Sequence, residues 1–345
     1  MVAAVRRLWP VVLSAGLTVL LLVGVVVGVN AGAADLSART VFTTIASAVG
    51  WADKPDILTY HIVVDMRLPR VIGAIATGCG LAVCGAVLQS LTGNPLADPY
   101  ILGISGGALL GAVAVIAAGV SIGGFLGFGA VTVAAFAGGA LALLLVFALS
   151  VTRTGTLDGG RMILAGVAIG QLTGALSAAV VYFADRDAAR RVQSWTLGSL
   201  AGTRWESVPV TVCVVLLLCV VVMARARFLD AFAFGDDAAA TLGINVTALR
   251  WMLYSVVSLA TAALVAQAGL IGFVGLVVPH IVRLLVGPAH AVVLPVTMLL
   301  GATLMLWTDI VCRGIVPDRE LPLGLATAII GVPVFVWVLH RERSR

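Results

Sequence analysis

The 345 residues are 61% hydrophobic and only 11% charged, with a mean hydropathy of +1.13, whereas a soluble chain of this length would carry about 25% charged residues to face water. The net charge of +5 is dispersed along the chain, so no basic stripe for nucleic acid is formed. The roughly ten-residue alternation of a membrane β-barrel is also absent, while apolar runs of about 18–25 residues fit helices that cross a bilayer.

The chain opens with Arg6 and Arg7, an apolar run from Val11 to Val29, and "AGAA". This pattern mimics a cleavable leader, but about 19 apolar residues exceed the roughly 7–15 of a leader core, so a retained first helix near 9–30 is expected. Nine further runs, near 66–90, 98–119, 126–150, 161–183, 207–223, 250–268, 272–286, 292–312 and 322–339, predict ten spans in all. The chain therefore reads as one all-α, multi-pass membrane domain over 1–345. Arginines beside both ends place both termini in the cytoplasm, and an even number of spans agrees.

The second span is entered through "DMRLPR", which that orientation puts outside with Arg67 and Arg70. Two readings are open: guanidinium groups that snorkel among lipid headgroups, or forks that grip carboxylates bidentately. After this span, "LTGNPLADP" holds Asn94 and Pro95, which favour a turn on the cytoplasmic side. Rows of small residues at four-residue spacing follow or precede it: Ala76, Gly80 and Cys84; Gly103, Gly107 and Gly111; Gly166, Gly170 and Gly174. Close helix packing accounts for them. Between the fourth and fifth spans lies "TRTGTLDGGRMILAG", with Gly159 and Gly160 in a second cytoplasmic connection. Segment 184–206 is outside, and its Trp195 and Trp205 suit a headgroup-level anchor.

Residues 225–250 make the longest cytoplasmic connection. Asp236 and Asp237 stand where a short helix would begin, and Ala238–Ala240 add almost no side-chain bulk. Gly243 can close that helix in the left-handed region. A smooth knob for a partner's groove and an ordinary capped loop both fit. The five cysteines (79, 84, 213, 219 and 312) read as small packing residues rather than a disulfide framework.

Three absences narrow the function. No Asp or Glu falls near the middle of a predicted span, which disfavours an ion-coupled carrier. No G-x-x-x-x-G-K-[ST] loop exists and Lys54 is the sole lysine, so ATP cannot be held here in the phosphate-loop manner. His61, His280, His290 and His340 form no metal-type spacing, and no catalytic set is visible.

"RLPR", "GLAVCGAVLQSLTGNPLADPYILGISGGA", "FGDDAAATLGINV", "GLIGFVGLVVPHIVRLL" and "TDIVCRGIVPDRELPLGLATAIIGVPVFVWVL" run in order from about 60 to 340. They resemble the permease subunits of the FecCD family, the ABC importers of ferric siderophores, haem and vitamin B12. The resemblance implies a type II importer fold in a bacterial inner membrane, with a second permease subunit (self or paralogue), two ATP-binding subunits and an extracytoplasmic substrate-binding protein. ATP and Mg would be used by the partner ATPase, and this chain would bind no cofactor or metal and catalyse no reaction. The resemblance further implies that Arg67, Arg70 and Arg313 receive carboxylates of the binding protein. Gly235, Asp236, Asp237, Ala239, Ala240, Leu242 and Gly243 would couple to the ATPase. Gln89, Asn94, Pro95, Gly159 and Gly160 would line or gate the pathway, although glycines stand where the family often has hydroxyl residues. The turn "GPAHAVVLP" also departs from the family's usual acidic and basic pattern. The expected cargo is a bulky chelate: ferric siderophore first, haem second, cobalamin third. A secondary transporter working alone is the rival from another class.

Overall fold

The computed structural model describes residues 2–32, 34, 36–53, 55–119, 129–152, 155–232, 241, 245–316 and 319–342. Helix α1 (Val2–Asn30) is followed by the short α2 (Ala38–Ala48). Then α3 (Ile57–Tyr60), a π-helical turn (His61–Arg67) and α4 (Leu68–Thr92) form one 36-residue helix. Next come a 3-10 turn (Pro99–Leu102), α5 (Ile104–Ala117), α6 (Ala130–Ser150), α7 (Gly159–Phe183) and α8 (Arg186–Thr196). The chain continues through α9 (Val208–Ala224), α10 (Ala226–Phe232), α11 (Val246–Ala268), α12 (Val274–Val286), α13 (His290–Gly314) and α14 (Leu323–Glu342). Side-chain oxygens of Ser37, Asp56, Asp158, Asp185 and Asn245 accept backbone N–H groups at the starts of α2, α3, α7, α8 and α11. Those donors have no partner within the helix itself.

Every predicted apolar run has a helical counterpart. Among the described residues, six helices are long and apolar enough to cross a membrane, and α9 with α10 makes a seventh if their 63° bend is one broken span. Three others are shorter: Ile104–Ala117, Val274–Val286 and Leu323–Trp337. At about 1.5 Å per residue, the 14-residue α5 and the 13-residue α12 fall well short of a 30 Å hydrocarbon core.

The long helix ending in α4 is the centre of the bundle. In its most apolar 18-residue stretch 83% of the residues are buried, against 17% in that of α1, and it packs on α9, α11, α12 and α13. Glycine makes this closeness feasible. A Cβ at Gly78 would overlap the Gly301 carbonyl of α13, and one at Gly85 would overlap the backbone of Gly275 in α12. On the other side of the bundle, Gly107 and Gly111 of α5 meet Gly138 and Ala134 of α6, and Gly166 of α7 meets Ile101. The Ala76–Gly80–Cys84 row packs as well, since a Cβ at Gly80 would come within 2.7 Å of Leu264 and 2.9 Å of Val215. All three predicted rows are thus used, although Gly174 at the end of its row faces open space. The thiols of Cys79 and Cys219 stand 3.8 Å apart between α4 and α9, and all five cysteines are free.

The expected turn at Asn94 and Pro95 forms, closed by the Ala97 N–H on the Asn94 carbonyl at 3.1 Å, but the connection does more than turn. Gly93 ends α4 with φ 61°, and the chain then folds back so that the Pro99 ring lies against Gly275, which itself packs on the Leu81 carbonyl near the middle of α4. Helix α5 therefore starts inside the bundle. From the opposite direction, α11 ends at Gly269 and α12 starts after Phe273, the non-glycine residue with positive φ (69°) among those described. Tyr100 ties the two breaks together. Its hydroxyl donates to the Ile271 carbonyl (2.9 Å) and accepts from the Ile271 N–H (3.0 Å). Irregular backbone at membrane depth persists only where protein groups satisfy it in this way. A carboxylate, Asp98, is carried inward with this stretch, contrary to the sequence expectation; its Oδ1 accepts from the Tyr100 N–H at 2.8 Å.

Candidate functional site

The helix ending in α4 runs from a face that carries Arg67, the outer one in the expected orientation, to a face that carries Gln89. Polar groups gather at both ends.

At the Arg67 end, the sequence expectation aimed three guanidinium groups outward, and the structure turns them in. Arg67 donates to the carbonyls of Val29 (3.1 Å), Asn30 (2.8 Å) and Ala34 (2.7 Å), closing the exposed carbonyl end of α1. Arg70 grips Asp309 of α13 through Nε and Nη2 (3.0 and 2.9 Å) and Glu320 through Nη1 and Nη2 (2.7 and 2.9 Å). Arg313 pairs with the same Asp309 (3.1 Å) and donates to the carbonyls of Gly28 and Ala31. Asp309 is fully buried, while the Glu320 side chain remains 45% exposed. The inward turn has a physical cause: a buried carboxylate and unpaired helix-end carbonyls lie within reach, and both compensate a desolvated cation. Three cations against two carboxylates leave this cluster with an excess positive charge.

At the other end, Gln89, Ser90, Pro95, Asp230, Arg283 and His290 line a cavity of about 530 Å³. Asp230, on the short α10, accepts from both the backbone N–H (2.8 Å) and Nδ1 (2.6 Å) of His290 at the start of α13. The other ring nitrogen of His290 meets Ser90 Oγ at 2.6 Å, and Arg283 donates to Ser90 Oγ, the Ala86 carbonyl and Gln89 Oε1. Gln89 in turn donates to the Leu276 carbonyl (3.0 Å), beside the α12 break. An unbroken polar chain thus links α10, α13, α4 and α12.

The predicted pathway residues divide into two groups. Gln89 and Pro95 line the cavity, and Asn94 shapes the adjoining turn by accepting from the Leu96 N–H at 2.9 Å. Gly159 and Gly160 lie apart, at the capped start of α7, where a Cβ on Gly159 would meet the Tyr254 hydroxyl of α11. The coupling residues Gly235, Asp236, Asp237, Ala239, Ala240, Leu242 and Gly243 lie outside the described residues. Sequence reading missed Asp230, Ser90, Arg283, His290 and Glu320. Only the last had a legible signal, an acidic residue beside Arg319 in "PDRELP".

The model of the FecCD transport family matches residues 20–341. The hemin transport system permease protein HmuU of Yersinia pestis is 36% identical over 339 residues, covering 98% of each chain. The cobalamin import system permease protein BtuC of Halobacterium salinarum is 41% identical over 286 residues, 82% of this chain and 74% of that one. The iron(3+)-hydroxamate import system permease protein FhuB of Bacillus subtilis is 35% identical over 336 residues, 96% and 84% of the two chains. A solved metal-chelate type ABC transporter in an inward-facing conformation superposes with a TM-score of 0.82 at 31% identity, covering 96% of this chain and all of that one. With the all-helical bundle and its paired breaks, these matches settle the assignment: the chain belongs to the FecCD transport family and has the permease fold of a type II ABC importer.

Proposed function

We propose that this chain is the membrane conduit of an ATP-driven importer for a bulky metal chelate, with ferric siderophore as the leading cargo. Two copies, or one copy and a paralogue, flank a shared path. Two separate ATPases act from the Gln89 face through residues 235–243, and a solute receptor delivers cargo at the Arg67 face. This chain performs no hydrolysis and holds no cofactor; ATP and Mg belong to the ATPases. The observation that carries the reading is the meeting of Pro99 with Gly275 inside the bundle. Two short helices start there from opposite sides, an arrangement that builds a site between broken spans rather than a sealed bundle. The hydroxamate, hemin and cobalamin permeases among its relatives support a large chelate as the cargo class.

Receptor docking by Arg67, Arg70 and Arg313 fits the structure as an exchange. A receptor carboxylate takes the place of the half-exposed Glu320 on Arg70, drawn by the surplus positive charge of the cluster. The full-length match to the hemin permease favours haem as the second reading. Proteoliposomes holding the permease, its ATPase and its receptor decide the cargo. Uptake of a radiolabelled ferric hydroxamate, competed by unlabelled ferric hydroxamate and not by hemin or cobalamin, is expected. Competition by hemin alone would replace the siderophore reading with the haem one.

A further inference from the structure

Between the end of α1 and the start of the long α3–α4 helix, α2 and the residues that follow it to Trp51 present an apolar face outside the bundle. Helix α2 has three sectors at 100° per residue. Val41, Thr44 and Ser47 are buried against α1 and the π-helical turn. The adjoining sector holds Phe42, Ile45 and Val49, with Phe42 74% and Val49 60% exposed. Exposed Arg39 and Thr43 complete the circle. Trp51, 85% exposed, extends this apolar surface, and after the exposed Asp53 and Asp56 the next span opens on exposed Ile57 and Leu58.

The depth of α2 follows from its neighbours. It packs on the last part of α1 and on the π-helical turn, the two places where membrane helices reach the same face. Arg67 fixes the elbow between α1 and α2 by its bonds to Val29, Asn30 and Ala34. Gly32 leaves room for that guanidinium, since a Cβ there would come within 2.9 Å of Arg67 Nη2. A buried arginine with carbonyl partners on one connector is what holding a short helix at a set angle requires.

We propose that α2 lies along the membrane surface as an interfacial helix, with Phe42, Val49 and Trp51 sunk at the headgroup–acyl boundary and Arg39 reaching lipid phosphates. The chemistry favours lipid over a protein occupant. The face is aliphatic and aromatic, exposed Arg39 sits at the sector's edge, and beyond the exposed Asp53 and Asp56 the chain enters a membrane helix whose first residues, Ile57 and Leu58, are again apolar and exposed. The inference is independent of cargo, of partner subunits and of which face is outside.

Two measurements test it. With the unaltered chain in lipid nanodiscs, a phospholipid bearing a photoactivatable group near the head of its acyl chain should form adducts that peptide mapping places within 38–51. Adducts confined to the long helices would overturn the proposal. In the second, an environment-sensitive fluorescent residue is placed singly at 42, 43 or 49, and phosphatidylcholine nitroxide-labelled high on the chain is added. Quenching several-fold stronger at 42 and 49 than at 43 is expected, and Arg67→Ala should reduce it at 49. Equal, water-like emission at all three positions, or shielding of 42 and 49 only when receptor is added, would refute it.

Discussion

Arg70 and Asp309, 239 residues apart in the chain, meet edge to edge: two guanidinium nitrogens lie 3.0 and 2.9 Å from one carboxylate oxygen in a fully buried setting. Through this pair α4 is bound to α13, and through Glu320 to the connection leading into α14. The interaction locks the end of the bundle where a receptor is proposed to dock.

Asp309 serves both Arg70 and Arg313, so its removal takes the buried carboxylate from two cations and leaves them Glu320 and the Gly28 and Ala31 carbonyls. Asp309→Ala should cost about 3–5 kcal/mol, read as a lowered thermal midpoint in detergent. The double replacement Arg70→Met with Asp309→Leu should recover part of that loss. An equally low midpoint for the double variant would show that the pairing itself is not what matters.

Gly85 and Gly174 make a matched pair of tests. Alanine at 85 meets the Gly275 backbone, which has no side chain that can move aside, whereas alanine at 174 meets nothing within 4 Å. Gly85→Ala should destabilise by about 1–3 kcal/mol or more. Gly174→Ala should be neutral or up to about 1 kcal/mol stabilising, as alanine is the better helix former. Monodisperse yield after extraction reads both.

Apolar run length and Gly/Pro breaks located a helix for every predicted run, because hydrophobic thickness sets the length of a full crossing, while the 14-residue α5 and 13-residue α12 stop short of it. The breaks at Pro99 and Phe273 were less legible. Gly103 and Gly269 announce an interruption but not its depth, which depends on Pro99 seating against Gly275 some 175 residues later. The inward turn of Arg67, Arg70 and Arg313 was hidden for the same reason: their partners at 28–34, 309 and 320 are fixed by packing between helices distant in sequence. The cavity network was also unreadable, since Asp230, His290, Ser90 and Arg283 share no spacing pattern.

His290 bridges Asp230 and Ser90. Asp230→Ala removes the acceptor of two His290 bonds and should cost about 1.5–3 kcal/mol. In the assembled transporter, uptake per ATP hydrolysed should fall, because α10 leads into the segment proposed to contact the ATPase. An unchanged ratio would detach this network from coupling.

Asp98 offers a test against an ion-coupled carrier. Asp98→Asn keeps an oxygen for the Tyr100 N–H and removes the charge. ATP-driven uptake should persist within about twofold, since capping by Asn and Asp is nearly equivalent. A variant that loses uptake while retaining its fold would assign the carboxylate a transport role.

If receptor carboxylates displace Glu320 from Arg70, then Glu320→Gln should tighten receptor binding and Arg70→Gln should weaken it. A surface-immobilised receptor titrated with nanodisc-held permease measures both. Unchanged affinity in the two variants would move docking elsewhere.

The most direct measurement is solute accumulation in sealed vesicles, with and without companion subunits. Vesicles carrying this chain, its ATPase, receptor and internal ATP should concentrate labelled chelate. Those with this chain alone should not do so under any imposed proton or sodium gradient. Accumulation by the lone chain would contradict the view that it is a conduit driven from outside itself.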